Sequence, residues 1–251
     1  MKISIIIPTM NSAKNIKNAF NSVINQSYMD WEIVVIDKES KDDTIQILKQ
    51  YLREYPNKIK IYNQKNNGLS NAMNLGIQKS TGELICILGS DDTFTKECFK
   101  YVYLAFEKYP KSVWSYGNAF FKYKSKIVRK RKFVKYNFTK LFFHRSINHQ
   151  TVFVKKEVFN KLGVFNPRYK YSMDYDMILR IGEKYSPIYI NKYLCYFNMS
   201  GKNITSKFWK VQLKEKIIIM KKYLPVYIYL FSYLYTLVIY IKKYIESKYL
   251  Y

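Results

Sequence analysis

Isoleucine is nearly continuous from Lys2 to Pro8, and the run stops at Pro8-Thr9-Met10-Asn11. This reads as a strand buried on both faces that ends in a polar turn. The spacing Ile16, Phe20, Val23 and Ile24 predicts a helix after it. A second apolar run, Trp31 to Ile36, stops at Asp37 and is followed by a helical pattern carrying Ile45, Leu48 and Leu52. Lys58 to Tyr62 reads as a short strand, Leu69 to Gln78 as a helix, and Glu83 to Leu88 as a strand ending in Gly89-Ser90-Asp91-Asp92. Apolar strands alternating with amphipathic helices predict an α/β fold, a mostly parallel sheet with helices on both faces. Such sheets bind ligands at the carboxyl ends of their strands. The polar residues collect there: Thr9 and Asn11, then Asp37 with Glu39 and Ser40, then Asp91 and Asp92. Ser40 or Asp42 alone reads as a helix cap. The three clusters on one edge point together to a shared ligand site.

The composition narrows the class. With 48% apolar or aromatic residues in 251, the chain can bury a sizeable core, and disorder is excluded. Cys86, Cys98 and Cys195 are odd in number and far apart, so neither a disulfide framework nor a thiolate metal site is expected. The apolar start is too short for the core of a secretory signal, which places the expected site of action in the cytoplasm. The net charge of +25 is lopsided: residues 1–118 carry +3, and residues 119–251, with 28 basic and 6 acidic groups, carry +22. That half is expected to face an anionic partner, although drift toward lysine contributes too.

The residues also resemble a known family, the inverting glycosyltransferases of family 2, which have the Rossmann-like GT-A fold. The likeness lies in Ser4-Ile5-Ile6-Ile7-Pro8-Thr9-Met10-Asn11, in Glu32 to Asp37 with Ser40, Asp42 and Thr44, and in Gly68 to Ile77. It continues through Ser80-Thr81-Gly82-Glu83 and Leu88 to Asp92, then His149-Gln150 and Met173 to Arg180. The resemblance implies that Pro8, Thr9, Asn11, Asp37, Asn74 and Ser90 hold a nucleotide sugar, most plainly a UDP-linked one. Asp91 looks like the principal ligand of a divalent metal, Mn²⁺ or Mg²⁺, with Asp92 beside it, and hard cations of this kind bridge carboxylate and diphosphate oxygens. Asp174 resembles the base that takes a proton from the acceptor hydroxyl. For Asp176 and Arg180 a helical i, i+4 ion pair is the simpler reading. His149 is open between a ligand contact and a hydrogen-bonded structural role. Gly89 stands where the family's metal motif usually begins with aspartate, leaving fewer carboxylates.

The resemblance implies a metal-dependent hexosyltransferase acting on a growing, lipid-linked cell-surface glycan, peripheral on the inner face of the cell membrane. A non-catalytic nucleic-acid or membrane binding module on the same fold is the alternative. Residues 1–118 are expected to form the nucleotide-sugar part of the domain, 119–208 its acceptor part, and 209–251 a helical tail. Nine basic residues from Lys122 to Lys140 alternate with aromatic and apolar ones, a pattern suited to lipid headgroups and less to nucleic acid. Tyr223 to Ile241 carries no charge over 19 residues, roughly 28 Å of helix. Tyr229, Ser232, Tyr233, Thr236 and Tyr240 share one helical face, and Val226, Leu230, Leu234, Leu237 and Ile241 the other. With Lys221, Lys222, Lys242 and Lys243 at its ends, such a helix lies in a membrane interface, packs on protein, or spans.

Overall fold

The computed structural model describes residues 1–132, 136–143, 147–199 and 208–249. The first half follows the predicted alternation. Strands β1 (Ile3–Thr9), β2 (Trp31–Asp37), β3 (Ile59–Asn63) and β4 (Leu84–Ile87) are interleaved with helices α1 (Ile16–Ile24), α2 (Thr44–Glu54) and α3 (Leu69–Lys79). They pair in parallel in the order β3-β2-β1-β4, with Thr9 opposite Asp37 and Ile3 opposite both Trp31 and Leu84. Every residue of β2 is buried, and because successive side chains point to opposite faces, both faces of the sheet are covered. Gly76 lets α3 approach β1 closely, since a Cβ there would lie 2.3 Å from Cγ2 of Ile6.

The sheet continues into the second half without a break. Strand β5 (Thr93–Phe94) and helix α4 (Cys98–Lys108) lead to β6 (Trp114–Tyr123), β7 (Lys126–Arg131), α5 (Lys140–Phe143) and a single turn at His149–Thr151. Then come β8 (Phe153–Lys155), α6 (Lys156–Leu162), α7 (Met173–Lys184) and β9 (Ile188–Asn198). Strand β8 runs antiparallel between β4 and β6, β9 lies parallel to β6, and β5 closes the row against β9, making a curled nine-stranded sheet. The boundary at residues 118 and 119 falls inside β6, so one sheet serves both parts. One side of β6 carries the hairpin partner β7, whose Lys126 to Lys130 are exposed. Of the basic stretch from Lys122 to Lys140, residues 133–135 lie outside the described residues.

Two helices end the chain, α8 (Trp209–Met220) and α9 (Val226–Tyr249). Among the described residues no helix is long and apolar enough to cross a membrane. Of the two faces read from the sequence for α9, the polar one turns Ser232 and Thr236 inward, and of the apolar one Val226, Leu230, Leu234 and Ile241 are exposed and Leu237 is half-buried, while the Tyr240 side chain lies outside the described residues. Ser232 is fully buried and donates to the Phe142 carbonyl at 3.2 Å, and Thr236 is buried beside it. Val226, Leu230, Phe231, Leu234 and Val238 are 54–75% exposed. Ordinary globular packing buries the apolar stripe, so this helix is inverted relative to that rule.

Candidate active site

The carboxyl ends of β1 and β2 form one polar shelf. The Lys38 N–H donates to the Thr9 carbonyl at 2.9 Å, joining the two strand ends. The buried Asp37 carboxylate accepts the Ser40 N–H at 2.9 Å and its hydroxyl at 2.6 Å. Ser40 Oγ in turn accepts the Asn11 N–H at 2.8 Å, and Asn11 Oδ1 accepts the Lys41 N–H at 2.8 Å. Ser40 is therefore a strut between Asp37 and Asn11, whereas Asp42 does act at the helix start, accepting the Thr44 N–H at 3.1 Å. Asn11 (φ 49°) adopts the left-handed backbone that asparagine tolerates better than most residues. Beside Pro8, the Thr9 hydroxyl is buried without a partner among the described residues, a polar group that a ligand on this shelf would satisfy.

Next along the edge, the β4–β5 turn presents two acids. Asp92 is buried, with one carboxylate oxygen accepting the Asn198 N–H at 2.8 Å and the other the Gln150 side-chain amide at 2.5 Å. Burial, and then the charge of Asp91, push its carboxyl up to about 7. Asp91 is also raised, chiefly by burial. Ser90 lies 2.9 Å from the Ser12 hydroxyl, tying this turn to the loop after β1. Gly89 has a steric reason: a Cβ there would meet Asp92 Oδ2 at 2.7 Å and Asp91 Oδ1 at 3.1 Å. The side chain missing from residue 89 is thus what makes room for the two carboxylates that follow. A buried acid beside a half-buried one that raises its pKa fits a hard divalent cation. Both oxygens of Asp92 are engaged by protein donors, so Asp91 is the carboxylate offered. Among the described residues no three His, Cys, Asp or Glu side chains converge to hold a metal ion.

Asp174 stands in the first turn of α7, one of its oxygens accepting the Tyr175 N–H at 2.8 Å. The other lies 3.4 Å from Nδ1 of His149. Burial would raise the Asp174 carboxyl, but the hydrogen bond and charge of His149, with Lys216, hold it below the usual range. Burial would lower the imidazole, but Asp174 first, then the charges of Asp92 and Asp91, raise it. Below the pair lies a cavity of about 30 Å³ walled by Met73, Ile87, Phe165 and Met177. His149 is thus bonded to one acid and electrostatically coupled to the other two, which joins two sites read separately from the sequence.

Two sequence-selected residues serve the scaffold. The Asn74 amide donates to the Phe165 carbonyl at 2.8 Å and accepts the Phe165 N–H at 2.9 Å, bracketing the turn before α7. It also lines a cleft of about 620 Å³ between the end of β3 and α3, with Tyr62, Asn63, Asn71 and Gln78, apart from the three acids. Asp176 pairs with Arg180 at 2.9 Å, the i, i+4 arrangement read from the sequence, and Arg180 also donates to the carbonyls of Leu162 and Val164. Sequence reasoning passed over Ser12 and Asn198. Asn198 contributes through its backbone N–H, which no residue pattern can flag.

A mostly parallel α/β sheet whose edge carries the acids Asp91 and Asp92 together with a carboxylate–imidazole pair defines the class by its fold: an α/β protein with these polar groups gathered at the carboxyl ends of its strands. Comparison with known proteins then gives the family. Residues 4–163 match the model of Glycosyl transferase family 2, and the chain belongs to that family. It is 28% identical over 195 residues to a PGL/p-HBAD biosynthesis glycosyltransferase of Mycobacterium bovis (strain BCG / Pasteur 1173P2), covering 76% of this chain and 73% of that one. Among solved structures it resembles S. aureus TarS 1-349 in complex with UDP, with a TM-score of 0.67 and 21% identity, covering 87% of this chain and 65% of that one. It also resembles the mannosyltransferase PcManGT of Pyrobaculum calidifontis in complex with GDP-Man and Mn²⁺, with a TM-score of 0.65 and 16% identity. That match covers 88% of this chain and 63% of the mannosyltransferase. The chain thus spans slightly less than two thirds of either solved structure, and at these identities the likeness speaks for the fold.

Proposed function

We propose that the chain is a metal-dependent, inverting hexosyltransferase that uses a UDP-linked sugar and extends a lipid-linked cell-surface glycan. The observation that carries this reading is the acid pair Asp91 and Asp92 beside a separate, ionised Asp174 bonded to His149. Complexes of the solved relatives with UDP and with GDP-Man and Mn²⁺ support a nucleotide-diphosphate donor. Pro8, Thr9, Asn11 and Asp37 would hold the base and ribose on the β1–β2 shelf, and Ser90 would face the diphosphate. Asn74, which lines the cleft beside α3, would join them in holding the donor. Asp91, backed by Asp92, would hold Mn²⁺ or Mg²⁺, which would supply positive charge to stabilise a departing diphosphate. Asp174, kept ionised by His149, takes the proton of the acceptor hydroxyl while that oxygen attacks the anomeric carbon and the bond to the diphosphate breaks. One base and one attack give inversion.

The tail supports a peripheral place on the inner face of the membrane. The outward row Val226, Leu230, Phe231, Leu234 and Val238 suits an interfacial helix. The stretch from Lys216 to Ile245 contains no acidic residue, and this matches anionic headgroups rather than a second copy carrying the same charge. The test is calorimetric titration of UDP with Mn²⁺ or EDTA, together with turnover of Asp91→Ala and Asp174→Asn. Binding is expected to need Mn²⁺ and Asp91. Asp174→Asn is expected to bind UDP normally and lose at least roughly 10²-fold in transfer. Equal UDP affinity in EDTA would remove the metal from the reading, and normal turnover of Asp174→Asn would move the base elsewhere.

A further inference from the structure

Helix α8 follows the last strand of the sheet, yet its contacts run back to the segment that begins α7. Glu215, buried on α8, accepts the Lys170 N–H at 2.7 Å with one carboxylate oxygen and the Tyr171 N–H at 2.9 Å with the other. One turn earlier, the Gln212 side chain donates to the Tyr171 carbonyl at 2.9 Å, and the Gln212 carbonyl accepts the Ser172 hydroxyl at 3.1 Å. Phe208 stacks on the Tyr171 ring at 4.6 Å with an interplanar angle of 8°. From the opposite side, the Ser70 hydroxyl donates to the Tyr169 carbonyl at 3.1 Å. Residues 169–172 are thus gripped between α3 and α8, and Asp174 follows two residues later. Lys216, next to Glu215, lies 5.3 Å over the Tyr175 ring and contributes to the field on Asp174.

We infer that Glu215 is a positioning residue for Asp174. It acts through the backbone of residues 170 and 171, setting the entry angle of α7 and hence the direction of the carboxylate. A carboxylate that accepts two consecutive backbone N–H groups fixes the plane of a peptide turn more tightly than neutral bonds do. The two bonds also occupy the N–H groups of the two residues just before the N-cap Ser172, where the chain turns into α7. A base must lie within hydrogen-bond reach of the proton it removes, and small misplacements far from the chemistry reduce rate without weakening substrate binding. This inference rests on the reading of Asp174 as the base, and the experiment below separates the two.

The measurement compares full-length wild type, Glu215→Gln, Asp174→Asn and the double variant. Turnover is read as released nucleotide from a panel of UDP-GlcNAc, UDP-glucose and GDP-mannose, with UDP affinity, thermal midpoint and amide hydrogen exchange taken alongside. Glu215→Gln is expected to speed exchange at the amides of 170–176, to lower kcat about tenfold, the rate equivalent of one lost charge-assisted bond, and to leave UDP affinity and KM unchanged. In the Asp174→Asn background it is expected to have no further effect on rate, because the residue it positions is gone. Gln212→Ala, which removes one side-chain contact to the same turn, is expected to shift exchange in the same direction if Glu215→Gln folds poorly. Unchanged exchange at 170–176, or a fall in thermal midpoint with unchanged kcat, overturns the role of Glu215. Near-normal turnover of Asp174→Asn overturns the base assignment itself.

Discussion

Glu32 sits at the amino ends of the strands, opposite the functional edge, and its side chain is fully buried. It accepts the Ser4 hydroxyl at 2.6 Å, the Thr81 N–H at 2.5 Å, the Thr81 hydroxyl at 2.9 Å and the Lys60 ammonium at 3.0 Å. Lys2 stands 3.3 Å away. One carboxylate thus ties β1, β2, β3 and the α3–β4 turn. Burial raises its pKa, but the bonds from Ser4, Thr81 and Lys60 outweigh burial and bring the carboxyl down from 4.5 to about 2. At 1.36 kcal/mol per pKa unit this corresponds to about 3 kcal/mol of stability. Because the folded state holds the proton more weakly than the unfolded one, that contribution is complete above about pH 4.5 and lost as the pH falls toward 2. Glu32→Gln keeps the shape and removes the charge. Urea unfolding of both proteins from pH 7 to 3 is expected to show the variant less stable by about 3 kcal/mol at pH 7, with the gap narrowing below pH 4.5. Parallel stability curves across that range would refute the reasoning.

Gly89→Ala should weaken UDP binding in Mn²⁺ by at least roughly tenfold, because its Cβ would meet both carboxylates; calorimetry at fixed Mn²⁺ decides it, and unchanged affinity removes Gly89 from the account. Flotation with anionic liposomes should recover the full chain and largely lose a chain ending at Leu224, which keeps α8 and its Glu215 contacts. High salt should release only part of the full chain, since headgroup contacts are screened and the buried apolar row is not; equal flotation of both chains would assign attachment to the β6–β7 surface. Asn74→Ala should speed amide exchange around Phe165 through loss of its two bonds to that residue, and protection equal to wild type would show that the turn is held without it.

The periodicity of the first 90 residues is enough to specify the alternating strands and helices. A strand buried on both faces must be continuously apolar, and β1 and β2 are. The candidate edge is equally legible, since a polar residue directly after such a run can only lie at a strand end, which is where Thr9, Asn11, Asp37 and Asp91 are found. The i, i+4 pairing of Asp176 with Arg180 is local and was readable for the same reason. What depends on residues distant in the chain was not. The meeting of His149 with Asp174 and the closing of Asp92 by Gln150 and Asn198 arise only when the β4–β5 turn, β9, α7 and the 149–151 turn come together. The tail makes the same point with the faces of one helix. The sequence separates a polar from an apolar row on α9, but which row turns inward depends on what it meets. There it meets the Phe142 carbonyl, to which the Ser232 hydroxyl donates and an aliphatic side chain could not.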